Sequence, residues 1–240
     1  NYRIPLTHIL GDDGNGYYST ANEIYTIILM ISSFSLPLAV SRLVAEREYA
    51  GEVKNSYKVL ICSLRFAAVT GGILSILTFL LGGVITKYVM GVELASYALR
   101  VLAPAIFLFA LTGVLRGFFQ GHGTMVPTAV SQIIEQIINA IVSVAGAYVM
   151  LQYGLKLGEK KGDAELGTAL AAAGGTFGTV ASVGVALLFM IVIYLGYRNG
   201  FKRRMKKDKT RRRESDRAIY RAITYTILPI VLSTLVYNIS

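Results

Sequence analysis

Five polar residues recur along one otherwise apolar stretch of this sequence: Thr128, Gln132, Glu135, Asn139 and Ser143. Their spacings are 4, 3, 4 and 4. At about 100° per residue they fall within an arc of about 80° on a helix. A carboxylate, two amides and two hydroxyls on one face can hydrogen-bond the hydroxyls of a sugar, and the carboxylate can take up a proton or a cation. A second stretch repeats the pattern with Ser19, Glu23, Thr26 and Ser33, with Asn22 beside them. Pro37 lies further along that face and is expected to kink the helix. Hydrocarbon cannot satisfy such stripes, so they face either a wet interior or other helices. Each stripe carries a carboxylate, which favours a solvated cavity. Dry interhelical hydrogen bonding is the plainer alternative.

Arginines also enter apolar stretches: Arg3, Arg42, Arg65, Arg100 and Arg116. A guanidinium offers phosphate a planar, always-charged fork of donors. Arg100 and Arg116 stand 16 residues apart, about 24 Å along a helix, and so belong near opposite membrane faces. Arg42 and Arg116 sit where a side chain can snorkel to water. Arg3 and Arg65 are the better candidates for an anion-binding cavity.

The elements that must position these groups follow from composition. The 240 residues are 54% hydrophobic and only 16% charged, with one cysteine and a mean hydropathy of +0.54. A soluble domain carries about a quarter charged residues, and disordered chains are poor in apolar ones. An all-α integral membrane protein remains. Uncharged stretches cover 24–41, 66–86, 136–155 and 166–197, with a shorter one at 101–115 and a last one opening at 222. Seven helices are expected: one ending near Leu10, then 17–45, 57–86, 94–120, 125–153, 168–197, and one starting near Ile219. The chain opens at Asn1 inside an apolar stretch and reads as a piece of a longer protein.

Twelve of the 24 Lys and Arg lie between Arg198 and Arg221. With Arg47, Lys54, Lys58 and the His122 turn they mark one set of loops as cytoplasmic by the positive-inside rule, and the 11–16 segment as external. The basic run touches anionic lipid headgroups on this reading. It lacks interleaved aromatics, so nucleic acid is not an expected partner. The lone Cys62 and the distant His8 and His122 offer no metal set. No P-loop, paired-histidine motif or nucleophile elbow occurs, so neither an enzyme nor a cofactor is expected. Gly174, Gly178 and Ser182 form a small-residue ridge suited to close helix packing.

Three strings have a specific look: HILGDDGNGYYSTANEIY, SLPLAVSRLVAE and LRGFFQGHGTMVPTAVSQIIEQIINA. They resemble the polysaccharide-exporter branch of the multidrug/oligosaccharidyl-lipid/polysaccharide (MOP) flippase superfamily, and within it the SpoVB- and MurJ-like group. That resemblance implies twelve to fourteen helices in two pseudo-symmetric lobes that work by alternating access around a central cavity. Residues 1–197 would then be the six-helix N-terminal lobe, its first helix truncated. Residues 198–218 would be a basic cytoplasmic loop, and 219–240 the start of a seventh transmembrane helix. MurJ-like members use cavity arginines on their early helices. Arg3 stands before Gly11 much as one of these does, His8 stands where a second would be, and Asn139 replaces a basic residue common in relatives.

The expected function is a flippase for a polyprenyl-diphosphate-linked glycan, such as a lipid II-type peptidoglycan precursor, in the bacterial plasma membrane. Arg3 and Arg65 would hold the diphosphate. Asn22, Glu23, Thr26, Gln132, Glu135 and Asn139 would line the cavity, with Glu23 or Glu135 coupling transport to H+ or Na+. A cation-coupled multidrug exporter of the same superfamily and a non-transporting membrane scaffold are the alternatives.

Overall fold

The computed structural model of the chain describes residues 3–32, 35–88, 90–161, 165–210 and 213–239, and side chains for the same residues except 3, 31, 32, 157–161, 230 and 233–239. Among them every regular element is helical: α1 (Arg3–Ser32), α2 (Leu36–Tyr49), α3 (Val53–Tyr88), α4 (Ala95–Gly121), α5 (Val126–Lys161), α6 (Glu165–Lys207) and α7 (Asp216–Ile239). Four are long and apolar enough to cross a membrane: α3, α4, α5 over Val126–Lys156, and α6. The chain is a multi-pass membrane protein.

The helix boundaries differ from the sequence expectation in instructive ways. The helix expected to end near Leu10 does break at Gly11, whose φ of 66° lies in the left-handed region that favours glycine. The next helix follows at once, without a loop, and both fall within α1. The helix expected over 17–45 is divided: α1 closes at Ser32 and α2 opens at Leu36 with Pro37 in its first turn. Proline is preorganised for a helix start and cannot serve its interior. The sixth helix runs ten residues past its apolar stretch to Lys207, because Lys, Arg and Met are good helix formers outside lipid as well.

The chain divides into two compact units. The first comprises Asn1–Ile28, Ile73–Leu108 and Ile133–Val185. Its packing turns on small residues where α5 meets α6. A Cβ on Gly174 would run into the Gly146 carbonyl, and one on Gly178 into the Ser143 side chain. The expected small-residue ridge is therefore a helix contact, with Ser182 buried beside it. At the α1 break Gly14 packs on Thr168, and the Tyr17 hydroxyl donates to Glu165 at 3.3 Å.

The second unit comprises Leu29–Gly72, Phe109–Gln132 and Ala186–Ser240. Here α2 lies against α4 so closely that a Cβ on Gly117 would strike the Pro37 carbonyl, and one on Gly121 would sit 2.6 Å from the Val44 Cβ. Phe118, Phe119 and Phe201 form an edge-to-face cluster with Tyr194 and Tyr197. Three connections expected on one membrane side meet in this unit. Glu48 at the end of α2 pairs with His122 of the α4–α5 turn at 3.2 Å and with Arg204 of α6.

Candidate functional site

The first unit holds Asn22, Glu23 and Thr26 of α1 and Glu135 and Asn139 of α5. Asn22 is half-buried and spends its amide N–H on the Tyr18 carbonyl at 2.8 Å. The Thr26 hydroxyl donates to the Asn22 carbonyl at 2.7 Å. These bonds hold both side chains along the helix. Glu23 is exposed and has no hydrogen bond or ion pair among the described residues. On α5, Glu135 and Asn139 are half-buried, and Asn139 accepts from Ser143 at 2.9 Å. The buried Tyr25 lies within electrostatic reach of the Glu135 carboxylate. Tyr25 falls outside the polar arc of its helix, so no spacing signal pointed to it.

The stripe on α5 is not uniform. Ser143 is fully buried against Gly178, and Thr128 is buried where Gln120 donates to it at 3.4 Å. Packing absorbs both ends, and the outward-looking part is Gln132, Glu135 and Asn139. A groove of about 600 Å³ runs between α1 and α5, lined by Pro5, Ile9, Ile141, Val144 and Tyr148 among others. It is apolar, and among the described side chains none of the expected site residues lines it.

Two expected residues belong to the second unit and are described there. Gln132 is exposed. Arg65, 64% exposed, stands 3.6 Å from Asp216 at the start of α7. Arg3 opens α1, and its side chain lies outside the described residues, as does Ser33. Arg116 does not snorkel. It is 5% exposed and donates from Nε to the Ser131 hydroxyl at 2.9 Å. Much of α4 is enclosed by its neighbours, and the Arg116 side chain is enclosed with it. Arg42 is exposed and pairs with Glu46 one turn on at 3.0 Å.

Sequence reasoning treated the basic run as solvated charge and passed over its acids. Asp208, Glu214 and Asp216 are pegs that fasten the α6–α7 connection to α2 and α3. Arg47 grips Glu214 through Nε and Nη2 at 3.0 and 2.9 Å, and Lys58 reaches Asp216 at 2.7 Å. The Lys54 amide donates to Asp208 at 2.7 Å. The hydrogen bond and charge of Lys58, with Arg65 adding, hold the Asp216 carboxyl below the usual carboxylate range. Burial alone would raise Asp208, but bonds from Thr210 and Lys54 together outweigh it and hold this carboxyl low as well. The signal was available: these are the acids inside a run of cations.

Among the described residues no group of His, Cys, Asp and Glu is arranged to hold a metal ion. What the exposed side chains offer is acceptors, amides and cations on apolar helices.

Residues 2–211 match the family model described as polysaccharide biosynthesis protein. Stage V sporulation protein B of Bacillus subtilis (strain 168) is 27% identical over 192 residues, covering 80% of this chain and 35% of that protein. Lipid II flippase MurJ of the same organism is 29% identical over 159 residues, covering 63% of this chain and 29% of that protein. The uncharacterized membrane protein YabM, also of that organism, is 34% identical over 132 residues, or 55% of this chain and 24% of its own length. The chain thus spans about a third or less of the length of these relatives. No solved structure matches. With its helices and the match over 2–211 in agreement, the chain belongs to the polysaccharide biosynthesis protein family, in the SpoVB- and MurJ-like branch of the MOP flippase superfamily.

Proposed function

We propose that the chain serves a flippase that carries a polyprenyl-diphosphate-linked glycan, of the lipid II type, across the bacterial plasma membrane by alternating access. The observation that carries this reading is the set of Asn22, Glu23 and Thr26 on α1, with Glu135 and Asn139 on α5, in one unit and turned partly or wholly outward. Polar groups on apolar helices are costly in lipid and mark a pathway more often than a packing seam. Sugar hydroxyls both donate and accept, and this set supplies two amides, a hydroxyl and two carboxylates to match. The diphosphate needs cations. Arg65 is suited to it because its contact with Asp216 is long and exposed, and such pairs contribute little. Arg3 has the second phosphate role. Glu135, or Glu23, takes up the coupling proton or sodium ion.

The test is an in-cell lipid II accessibility assay on Arg3→Ala and Glu135→Ala, with Tyr49→Ala as an exposed control. Losing a charge-assisted contact to the moving head should slow flipping about tenfold or more. Wild-type rates in both variants would remove the site assignment.

A further inference from the structure

Arg100 is left over by everything above. It lies in the first unit, one and a half turns into α4, and its side chain is exposed. Among the described residues no carboxylate pairs with it. Its stem lies along Gly82 and Gly83 of α3: Cγ is 3.6 Å from where a Gly82 Cβ would be, and Nη2 is 3.2 Å from the corresponding point at Gly83. The diglycine is a cradle that gives the guanidinium room to lie flat on the helix. A groove of about 490 Å³ opens there.

The chemistry of the groove selects its occupant. Lys87 is also in the wall, but Glu93 neutralises it at 3.0 Å. The balance is one positive charge, that of Arg100, which matches the single negative charge of a phosphodiester. Ser96, Tyr88 and Tyr97 also line the groove and add hydroxyls toward its end. Along α3 the wall passes into Leu80 and Val84, and the exposed Leu77, Ile76 and Ile73 continue that apolar face. A free phosphate would gain nothing from it, whereas a diacyl lipid would lay its chains there. Arg100 stands five residues from the start of α4, about 7.5 Å along the helix, within reach of headgroup depth.

We infer that the α3–α4 hairpin holds an anionic glycerophospholipid, its phosphodiester on the Arg100 guanidinium and its acyl chains along Leu80 and Val84. The site is independent of the transport reading, and the lipid is a resident of the fold rather than cargo.

A photoreactive phosphatidylglycerol and its phosphatidylcholine counterpart, presented to the purified protein in micelles, test this by mapping the crosslinked peptides. Crosslinks on residues 80–100 should favour phosphatidylglycerol about tenfold. Arg100→Gln should lose that excess while labelling of the basic 202–221 segment stays unchanged. Arg100→Lys should restore part of it. Gly83→Leu, which fills the cradle and leaves the charge in place, should also lose it. Unchanged labelling in Arg100→Gln and Gly83→Leu would overturn the site. Equal labelling by both lipids would overturn its charge selectivity. Displacement by inorganic phosphate alone would give the groove to a soluble anion instead.

Discussion

Arginines in this chain differ by how many acceptors each has, and their expected contributions differ accordingly. Arg47 uses three nitrogens, two on Glu214 and Nη1 on the Leu43 carbonyl at 2.8 Å, and its side chain is 12% exposed. Arg42 meets Glu46 with 69% of its side chain in the open. Arg47→Ala should cost about 2 kcal/mol, since it strands a partly buried carboxylate. Arg42→Ala should be near neutral. Thermal melting of the detergent-solubilised protein separates them, and equal shifts would contradict the assignment. The carboxylates Asp208 and Asp216 set a pH window. Their folded pKa values are depressed. The stability they add is therefore present above the ordinary carboxylate value of about 3.9 and disappears as pH falls through the lower folded values. Hydrogen exchange at the Lys54 and Thr210 amides, which donate to Asp208, should stay protected from pH 7 down to about 4 and be lost only in stronger acid. Loss of protection already near pH 6 would mean that other groups hold the connection.

At the scale of elements, close approach and open surface make opposite forecasts for the same residue type. Gly178 and Gly196 both lie in α6. A Cβ on the first collides with Ser143, and one on the second meets nothing within 4 Å. Gly178→Val should overpack the α5–α6 contact by about 1–3 kcal/mol or more. Gly196→Ala should hold or raise stability by up to about 1 kcal/mol through helix propensity. If the two variants melt alike, the α5–α6 seam is not as tight as described. The ridge at Gly174, Gly178 and Ser182 was readable beforehand because small residues at four-residue spacing have few other uses in an apolar helix. Other features were not readable. Hydropathy marks where lipid ends, not where a helix ends, so α6 outran its apolar stretch through a run of good helix formers. Pro37 announced a disturbance, but only tertiary contacts decide between a kink and a fresh start. The burial of Arg116 depends on α4 being enclosed by its neighbours, which no single helix records. The stripe on α5 was legible as spacing. That Ser143 turns inward while Asn139 looks partly out is fixed by Gly178 on another helix.

For the whole molecule, the charge pattern makes a claim about direction. Glu48 at the end of α2, His122 of the α4–α5 turn and Arg204 near the end of α6 meet in one unit, and Arg47 with Glu214 joins the α2–α3 region to the last connection. This convergence is what the positive-inside reading requires of loops sharing one side. It gives a physical reason for the clustering of acids among the cations: they bind the connections to each other. Which side that is sets the direction of any transport. The native Cys62 is buried, so a Cys62→Ser background with single cysteines at exposed positions can be labelled by a membrane-impermeant maleimide. Tyr88→Cys, at the far end of α3 from the Lys54 contacts and 78% exposed, should react in intact cells. Lys206→Cys, exposed near the end of α6, should react only after permeabilisation. The opposite pattern would invert the topology. The basic connection would then face away from the anionic cytoplasmic leaflet, and with it the attraction that explains twelve cations between Arg198 and Arg221 would vanish.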